Sequence, residues 1–86
     1  MSADVTMYYS STCPFCKNAE ELLNSKKARI TIIDVDQKPD KWEEMKTLSG
    51  GRDTVPQIFI NNRHIGGFDD LSELDMDDEL DPLLQT

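Results

Sequence analysis

The sequence has no apolar run approaching the roughly 18 residues needed to span a bilayer. Its first ten residues, MSADVTMYYS, also lack the basic and apolar segments of a signal peptide. We therefore expect a soluble, cytoplasmic protein that has no membrane partner. The 86 residues contain no repeat and no Pro-rich or Gly/Ser-rich linker, and 37% of them are hydrophobic. This length suits one small core, so residues 1–86 are predicted to form a single domain.

Positive charge is missing from the last quarter of the chain. Residues 1–63 contain nine basic and nine acidic side chains, whereas residues 64–86 contain eight acidic and no basic ones, which accounts for the net charge of −8. Without a basic stripe, nucleic acid is not an expected partner. We interpret the acidic end as a solvated surface that aids solubility.

Cysteine and histidine are scarce, which limits the available chemistry. Both cysteines lie in one stretch, STCPFCKN at 11–18, and the only histidine is His64. A structural zinc site takes four ligands, so one CxxC pair offers half of a site. In a reducing compartment a close pair is more often catalytic or metal-binding than a structural disulfide. The alternatives are a redox pair, a metal or cluster site shared between chains, and two inert buried thiols; we favour the redox pair and expect no metal.

Strand and helix patterns alternate along the chain. β-branched and aromatic residues predict strands at 5–9, 29–35, 55–60 and 63–67, the second of them buried and the last two joined by a turn at Asn61 and Asn62. Helical spacing of apolar residues predicts helices at 14–25, 39–48 and 68–75.

The ends of the helices have their own signals. Gly50 and Gly51 are expected to end the second helix, in which Trp42, Met45 and Leu48 form the core stripe. Asp69 or Asp70 is expected to cap the third helix. Residues 76–86 are predicted to form a short helical turn and a tail, interrupted near Pro82.

This order of elements, βαβαββα, predicts an α/β fold. Right-handed crossover makes the first two strands parallel, and the final hairpin adds an antiparallel strand. The expected result is a four-stranded mixed sheet flanked by helices. Its first cysteine would then lie where a strand meets the start of a helix.

The position of Cys13 indicates which thiol attacks and which one resolves. Cys13 directly precedes Pro14, which suits the first turn of a helix, so Cys13 is predicted to be the N-cap. A helix N-terminus stabilises a thiolate, the form of cysteine that attacks disulfides. Cys16 lies about one turn further along and is predicted to be the more buried, resolving thiol. Cys13 and Cys16 are therefore the candidate catalytic residues.

Three motifs in order, CPFC after a strand, then TVPQIF, then GGFDDL, resemble the glutaredoxins, in particular the small dithiol bacterial kind, over nearly the whole chain. The resemblance implies a thioredoxin fold and glutathione-dependent reduction of protein disulfides and glutathione mixed disulfides, with glutathione as cofactor. It implies as partners glutathionylated and disulfide-containing proteins, with ribonucleotide reductase as a candidate, and glutathione reductase indirectly. We expect a monomer. The alternatives are a redoxin reduced by thioredoxin reductase and a dimer that binds a glutathione-ligated iron–sulfur cluster.

The resemblance also implies a glutathione site. It would consist of Phe15, Thr54, Val55, Pro56, Gly67, Phe68, Asp69 and Asp70. A cis Val55–Pro56 bond would turn the Val55 backbone toward the cysteinyl part of glutathione, as an added strand would pair. The helix N-terminus after Gly67 would receive the γ-glutamyl carboxylate, and Asp70, secondarily Asp69, its ammonium group.

The sequence departs from the family pattern at two positions. Phe15 stands where Tyr is common, and Ser10 stands where many relatives have Lys or Arg. Lys17 or Arg52 is the candidate replacement for that positive charge, although the loop before TVP is one residue longer than usual and shifts Arg52. His64 is predicted to be structural.

Overall fold

The computed structural model of the protein describes residues 3–85. The elements are β1 (Asp4–Tyr9), α1 (Pro14–Ser25), β2 (Arg29–Asp34), α2 (Pro39–Leu48), β3 (Gln57–Ile60), β4 (Arg63–Gly66), α3 (Phe68–Met76) and α4 (Leu80–Leu84). Within that range, no helix has the length and apolarity that crossing a membrane requires.

The strands form one sheet in the order β2-β1-β3-β4. β1 runs parallel to β2 and antiparallel to β3, and β3 runs antiparallel to β4. The turn between β3 and β4 has positive φ angles of 51° at Asn61 and 68° at Asn62, which asparagine tolerates better than most residues. The predicted mixed sheet and its hairpin are therefore confirmed.

Two apolar clusters pack against the sheet. The larger one contains Ala3, Val5, Met7, Ala19, Leu23, Ile58, Ile60, Leu71, Leu80 and Leu84. The smaller one contains Tyr8, Val35, Met45 and Phe59. Alternation along β1 sends Met7 to one cluster and Tyr8 to the other, because successive side chains of a strand face opposite sides. β1 and β3 thus lie at the centre of the fold.

Helix α2 follows its predicted stripe only in part. Met45 is fully buried and Trp42 packs partly buried against the smaller cluster. Leu48 was predicted to lie in the core, but its side chain is 55% exposed. It is the last residue of α2, before the chain turns away through Gly50 and Gly51 at φ angles of +75° and +98°. The two glycines end the helix as predicted.

Strand β2 is not buried, contrary to the prediction. The sheet order places it at an edge, and Ile32 is 41% exposed. A run of β-branched residues indicates a strand, but it does not indicate whether the strand has a neighbour on both sides within the sheet. The prediction was wrong because the position of β2 depends on where β3 inserts.

The chain after α3 contains the predicted short helical turn, as α4, but not the predicted interruption near Pro82. Pro82 does not interrupt α4, because it is the third residue of that helix, where the backbone N–H has no intrahelical partner in any case. Leu80 and Leu84 are buried in the larger cluster. The segment is therefore part of the core; residue 86 of the predicted tail lies outside the described residues.

Candidate active site

Cys13 lies in the turn that leads from β1 into α1. Its N–H donates to the Ser10 carbonyl oxygen over 3.1 Å, and its backbone is extended, with φ −100° and ψ 110°. The Cys13 Sγ accepts a hydrogen bond from the Cys16 N–H at 3.2 Å. The sulfur thus caps α1 and receives one of the N–H groups that a helix start leaves without an intrahelical partner.

The two thiols have different surroundings. Cys13 is partly exposed, whereas Cys16 is fully buried. Burial, reinforced by the hydrogen bond to Cys13, raises the pKa of Cys16 to about 12. Cys16 is therefore a protonated thiol at neutral pH, and the accessible sulfur of the pair belongs to Cys13.

The loop before β3 reaches the same place from the other half of the chain. The Val55–Pro56 peptide is cis, as the resemblance implied. Cys13 Sγ lies 3.4 Å from the Val55 carbonyl oxygen and donates a hydrogen bond to it. The CPFC and TVP motifs, 42 positions apart, are therefore in direct contact.

A groove with a cavity volume of about 140 Å³ opens beside this contact. Its lining consists of Phe15, Arg52, Thr54, Val55, Pro56, Gly67, Phe68, Asp69 and Asp70. The structure thus brings together all eight residues of the predicted glutathione site, and Arg52 joins them. The rings of Phe15 and Phe68 stack with centroids 6.3 Å apart and form the apolar part of the wall.

The polar end of the groove is the start of α3. The Asp70 Oδ2 accepts the Gly67 N–H at 3.0 Å and an Arg52 Nη1 hydrogen at 3.3 Å. Gly67 is the N-cap, and Asp70, at the third position of the helix, accepts its N–H, so the predicted capping by Asp69 or Asp70 is confirmed for Asp70. Asp69 lies in the same first turn. A helix N-terminus, two carboxylates and a guanidinium group therefore meet at one end of the groove.

Gly66, rather than Gly67, is the glycine that this arrangement requires. Gly66 has φ +121°, and a Cβ there would collide with the Asp70 carboxylate and lie 2.9 Å from Arg52 Nη1. Gly67 has φ −89°, and a Cβ there would approach no atom closer than 3.4 Å. Nothing in the sequence beyond the GG doublet itself signalled this requirement at Gly66.

The position that carries a positive charge in many relatives is neutral and buried here. Ser10 is 5% exposed, and its hydroxyl donates to Asp36 Oδ2 at 2.7 Å and contacts Thr12 Oγ1 at 3.0 Å. Of the two candidate replacements, Arg52 lines the groove, whereas Lys17 lines a separate surface depression that Cys13 also lines. Arg52 is therefore the cation that the fold brings to the groove.

Among residues 3–85, no group of three or more His, Cys, Asp or Glu side chains is placed to hold a metal ion. His64 does not line the groove; its Nε2 lies 2.7 Å from Oε1 of Gln57, a fully buried residue. Sequence reasoning overlooked Gln57, because a single glutamine after a TVP motif gives no sign of its burial.

Comparisons with known proteins agree with this geometry. The glutaredoxin family model matches residues 5–65. Glutaredoxin 3 of Escherichia coli strain K12 is 49% identical over 83 residues, which cover 96% of this chain and 99% of that protein.

Two solved structures superpose closely. A crystal structure of a buckwheat glutaredoxin–glutathione complex has a TM-score of 0.88 and 29% identity, covering 96% of this chain and 77% of that one. The solution structure of glutaredoxin from Brucella melitensis has a TM-score of 0.86 and 44% identity, with coverages of 99% and 91%. The fold is the thioredoxin fold of these proteins. The chain belongs to the glutaredoxin family and is a thiol–disulfide oxidoreductase.

Proposed function

We propose that this glutaredoxin uses glutathione to reduce two kinds of substrate, mixed disulfides between glutathione and other proteins, and disulfides within proteins. The observation that carries the proposal is the contact of the Cys13 sulfur with the Val55 carbonyl, because Val55 lines the groove and the contact brings the accessible thiol against that wall. The similar buckwheat protein, which was crystallised with glutathione, supports glutathione as the occupant.

Reduction of a mixed disulfide needs only Cys13. Its thiolate attacks the glutathione sulfur, the bond between that sulfur and the protein breaks, and the protein leaves as a thiol after taking up a proton. A second glutathione thiolate then attacks the glutathione sulfur bound to Cys13. The products are the Cys13 thiolate and oxidised glutathione, which joins the glutathione of the mixed disulfide to the incoming one, so each mixed disulfide consumes one free glutathione.

Reduction of a protein disulfide also needs Cys16. Cys13 first attacks one substrate sulfur, which forms a mixed disulfide and releases the other substrate sulfur as a thiol. Cys16 then attacks Cys13 Sγ, forms the Cys13–Cys16 disulfide and releases the substrate sulfur that was bound to Cys13, so both substrate cysteines are reduced. Once Cys13 is in a disulfide, its hydrogen bond and charge no longer raise the pKa of Cys16. The resolving thiol is therefore easier to ionise when it is needed. Two glutathione molecules then reduce the Cys13–Cys16 disulfide.

The charges at the end of the groove suit the γ-glutamyl group of glutathione. The start of α3 offers N–H groups and the positive end of its dipole to the carboxylate, while Asp70 accepts from the ammonium group. Arg52 offers a guanidinium group to a second carboxylate. Arg52 and Asp70 hold each other at 3.3 Å with side chains 45% and 44% exposed. Such a surface pair is worth at most about 1 kcal/mol, so ligand charges can replace it at small cost.

The deciding experiment is turnover of a glutathione mixed disulfide, with glutathione and glutathione reductase recycling the product and NADPH consumption as the readout. We expect turnover with glutathione and glutathione reductase, and none when both are replaced by thioredoxin reductase. Turnover only with thioredoxin reductase would instead assign the chain to redoxins fed by that enzyme.

Several expectations accompany this proposal and have their own tests. Cell fractionation tests the cytoplasmic location, and light scattering tests the monomer. Ribonucleotide reductase is tested directly as a disulfide substrate. Anaerobic reconstitution with iron and sulfide tests the cluster-binding alternative, which requires a coloured dimer.

A further inference from the structure

Gln57 is a buried polar side chain whose amide is bonded at both ends. It is 0% exposed and is the first residue of β3, directly after the TVP loop. Its Nε2 donates to the Thr54 carbonyl oxygen at 3.0 Å and lies 3.3 Å from Thr54 Oγ1. Because the nitrogen faces Thr54, the amide oxygen must accept from the other side. An unpaired amide in this position would cost the full desolvation of the group.

His64 supplies the donor on that side. Its Nε2 is 2.7 Å from Gln57 Oε1, so the neutral ring must carry its proton on Nε2. Burial lowers the pKa of His64, and the positive charge of Arg52 lowers it further, while Asp70 opposes the shift. His64 is therefore neutral at pH 7. Its ring also packs on Phe59, with centroids 5.0 Å apart, which fixes the ring plane.

The two hydrogen bonds connect β4 to the groove wall from behind. Thr54, Val55 and Pro56 line the groove, and the Cys13 sulfur rests against the Val55 carbonyl. These three residues are not part of a strand, so no ladder of sheet hydrogen bonds holds them. The Gln57 amide holds Thr54 at two atoms, and His64 holds the amide.

We propose that His64 and Gln57 are positioning residues, which fix the Thr54–Pro56 wall in the orientation that binds the glutathione part of a mixed disulfide. The inference rests on the proposed function, because glutathione is the ligand that this wall would bind. Neither side chain lines the groove, so both act through Thr54. A merely structural role for His64 would affect the free energy of unfolding and leave substrate affinity unchanged.

The test compares His64→Leu with His64→Gln. Leucine removes the donor and leaves Gln57 Oε1 without it, whereas the glutamine amide has a donor at similar reach. In the mixed-disulfide assay we expect His64→Leu to raise KM about 5- to 10-fold with kcat changed less than about 2-fold. We expect His64→Gln to restore KM to within about 2-fold of the wild type. Arg63→Leu, an exposed neighbour on β4, is the matched control and should leave both constants unchanged.

A second readout does not depend on turnover. Deuterium uptake of a peptide covering residues 52–57 reports how firmly the wall is held. We expect faster uptake in His64→Leu than in the wild type, and wild-type uptake in His64→Gln and Arg63→Leu. Thermal unfolding of each variant sets an assay temperature at which all of them are folded.

Three results would overturn the inference. They are an unchanged KM in His64→Leu, equal impairment of His64→Gln and His64→Leu, and wild-type deuterium uptake at 52–57 in His64→Leu. A wild-type protein that does not turn over the mixed disulfide would instead refute the proposed function. In that case the deuterium uptake alone decides whether His64 holds the wall.

Discussion

Two helices begin at the groove, and each has a side chain that accepts a backbone N–H at its start. In α1 the acceptor is the Cys13 sulfur, which receives the Cys16 N–H at 3.2 Å. In α3 it is the Asp70 carboxylate, which receives the Gly67 N–H at 3.0 Å. The two bonds run in opposite directions, because the N-cap side chain accepts from the third residue in α1 and the third side chain accepts from the N-cap in α3. The acceptor of α1 is a sulfur that can enter a disulfide, whereas that of α3 is a carboxylate that cannot.

The charges around the two helix starts differ as well. The first turn of α1 contains no acidic residue, whereas that of α3 contains Asp69 and Asp70. The positive end of the α1 dipole is therefore left for a sulfur anion, and that of α3 already faces carboxylates. From this comparison we infer that the start of α1 carries the attacking thiol and the start of α3 selects the ligand. Four predictions test this division.

Replacing the α1 acceptor should have the largest effect. In Cys13→Ser a hydroxyl, which does not ionise at neutral pH, replaces the thiol that we propose as the nucleophile. We expect both disulfide-reducing activities to fall by at least about 10³-fold in the glutathione-coupled assay. Ser11→Ala, two residues before Cys13 and exposed, is the control and should retain activity. Substantial activity in Cys13→Ser would mean that α1 does not carry the nucleophile.

Replacing the second thiol should separate the two activities. Cys16→Ser keeps the backbone N–H that bonds Cys13 but removes the sulfur that resolves a protein mixed disulfide. We expect reduction of protein disulfides to fall about 10²-fold or more, and turnover of glutathione mixed disulfides to stay within about 3-fold of the wild type. Equal losses in both assays would contradict the assignment of Cys16 as the resolving thiol.

The raised pKa of Cys16 has a direct consequence for its labelling. Burial is the largest cause of the raised pKa of Cys16, and it persists when the smaller contributions of Cys13 are removed, so Cys16 stays protonated to higher pH than an ordinary thiol. In Cys13→Ser, where burial of Cys16 remains, we expect iodoacetamide at pH 8.5 to label Cys16 at least about 50-fold more slowly than it labels the unfolded chain. Mass spectrometry between pH 7 and 10 measures this rate; a midpoint near 8.5 would contradict it.

Removing the α3 acceptor should have a smaller effect, on affinity. Asp70→Ala removes a carboxylate that we propose binds the glutathione ammonium group, and we expect KM for the mixed disulfide to rise about 10-fold with little change in kcat. Asp69→Ala should raise it only about 2-fold, because Asp70 is the primary acceptor. An unchanged KM in Asp70→Ala would show that Asp70 only caps α3. Loss of the cap itself is expected to lower the free energy of unfolding by about 1 kcal/mol.

Local signals predicted most of the fold. Pro14 and Pro39 each begin a helix, Gly50 and Gly51 end one, and the Asn61–Asn62 turn joins β3 to β4. These features depend on backbone preferences of a few adjacent residues. The exposure of β2 and of Leu48 depends on which elements cover them, and this information is spread over the whole chain.

The site was predictable for a different reason. The predicted residues of the groove stand in three short motifs, and the resemblance to glutaredoxins implied that they share a role in binding glutathione. Ser10 and Gln57 show the limit, because their burial and their partners become evident only in three dimensions. The position of Arg52 could not be predicted either, because its loop is one residue longer than usual. The structure places Arg52 beside Asp70.

The contact between Cys13 and Val55 also bears on how the protein is made. Synthesis proceeds from the N-terminus, so both cysteines leave the ribosome while the opposite wall of the groove, 42 positions later, is still missing. β1 cannot take its central place in the sheet before β3 exists. The nascent chain therefore carries two thiols that have neither the wall nor the start of α3 beside them. Ligand selectivity is acquired last, when nearly the whole chain is available to fold.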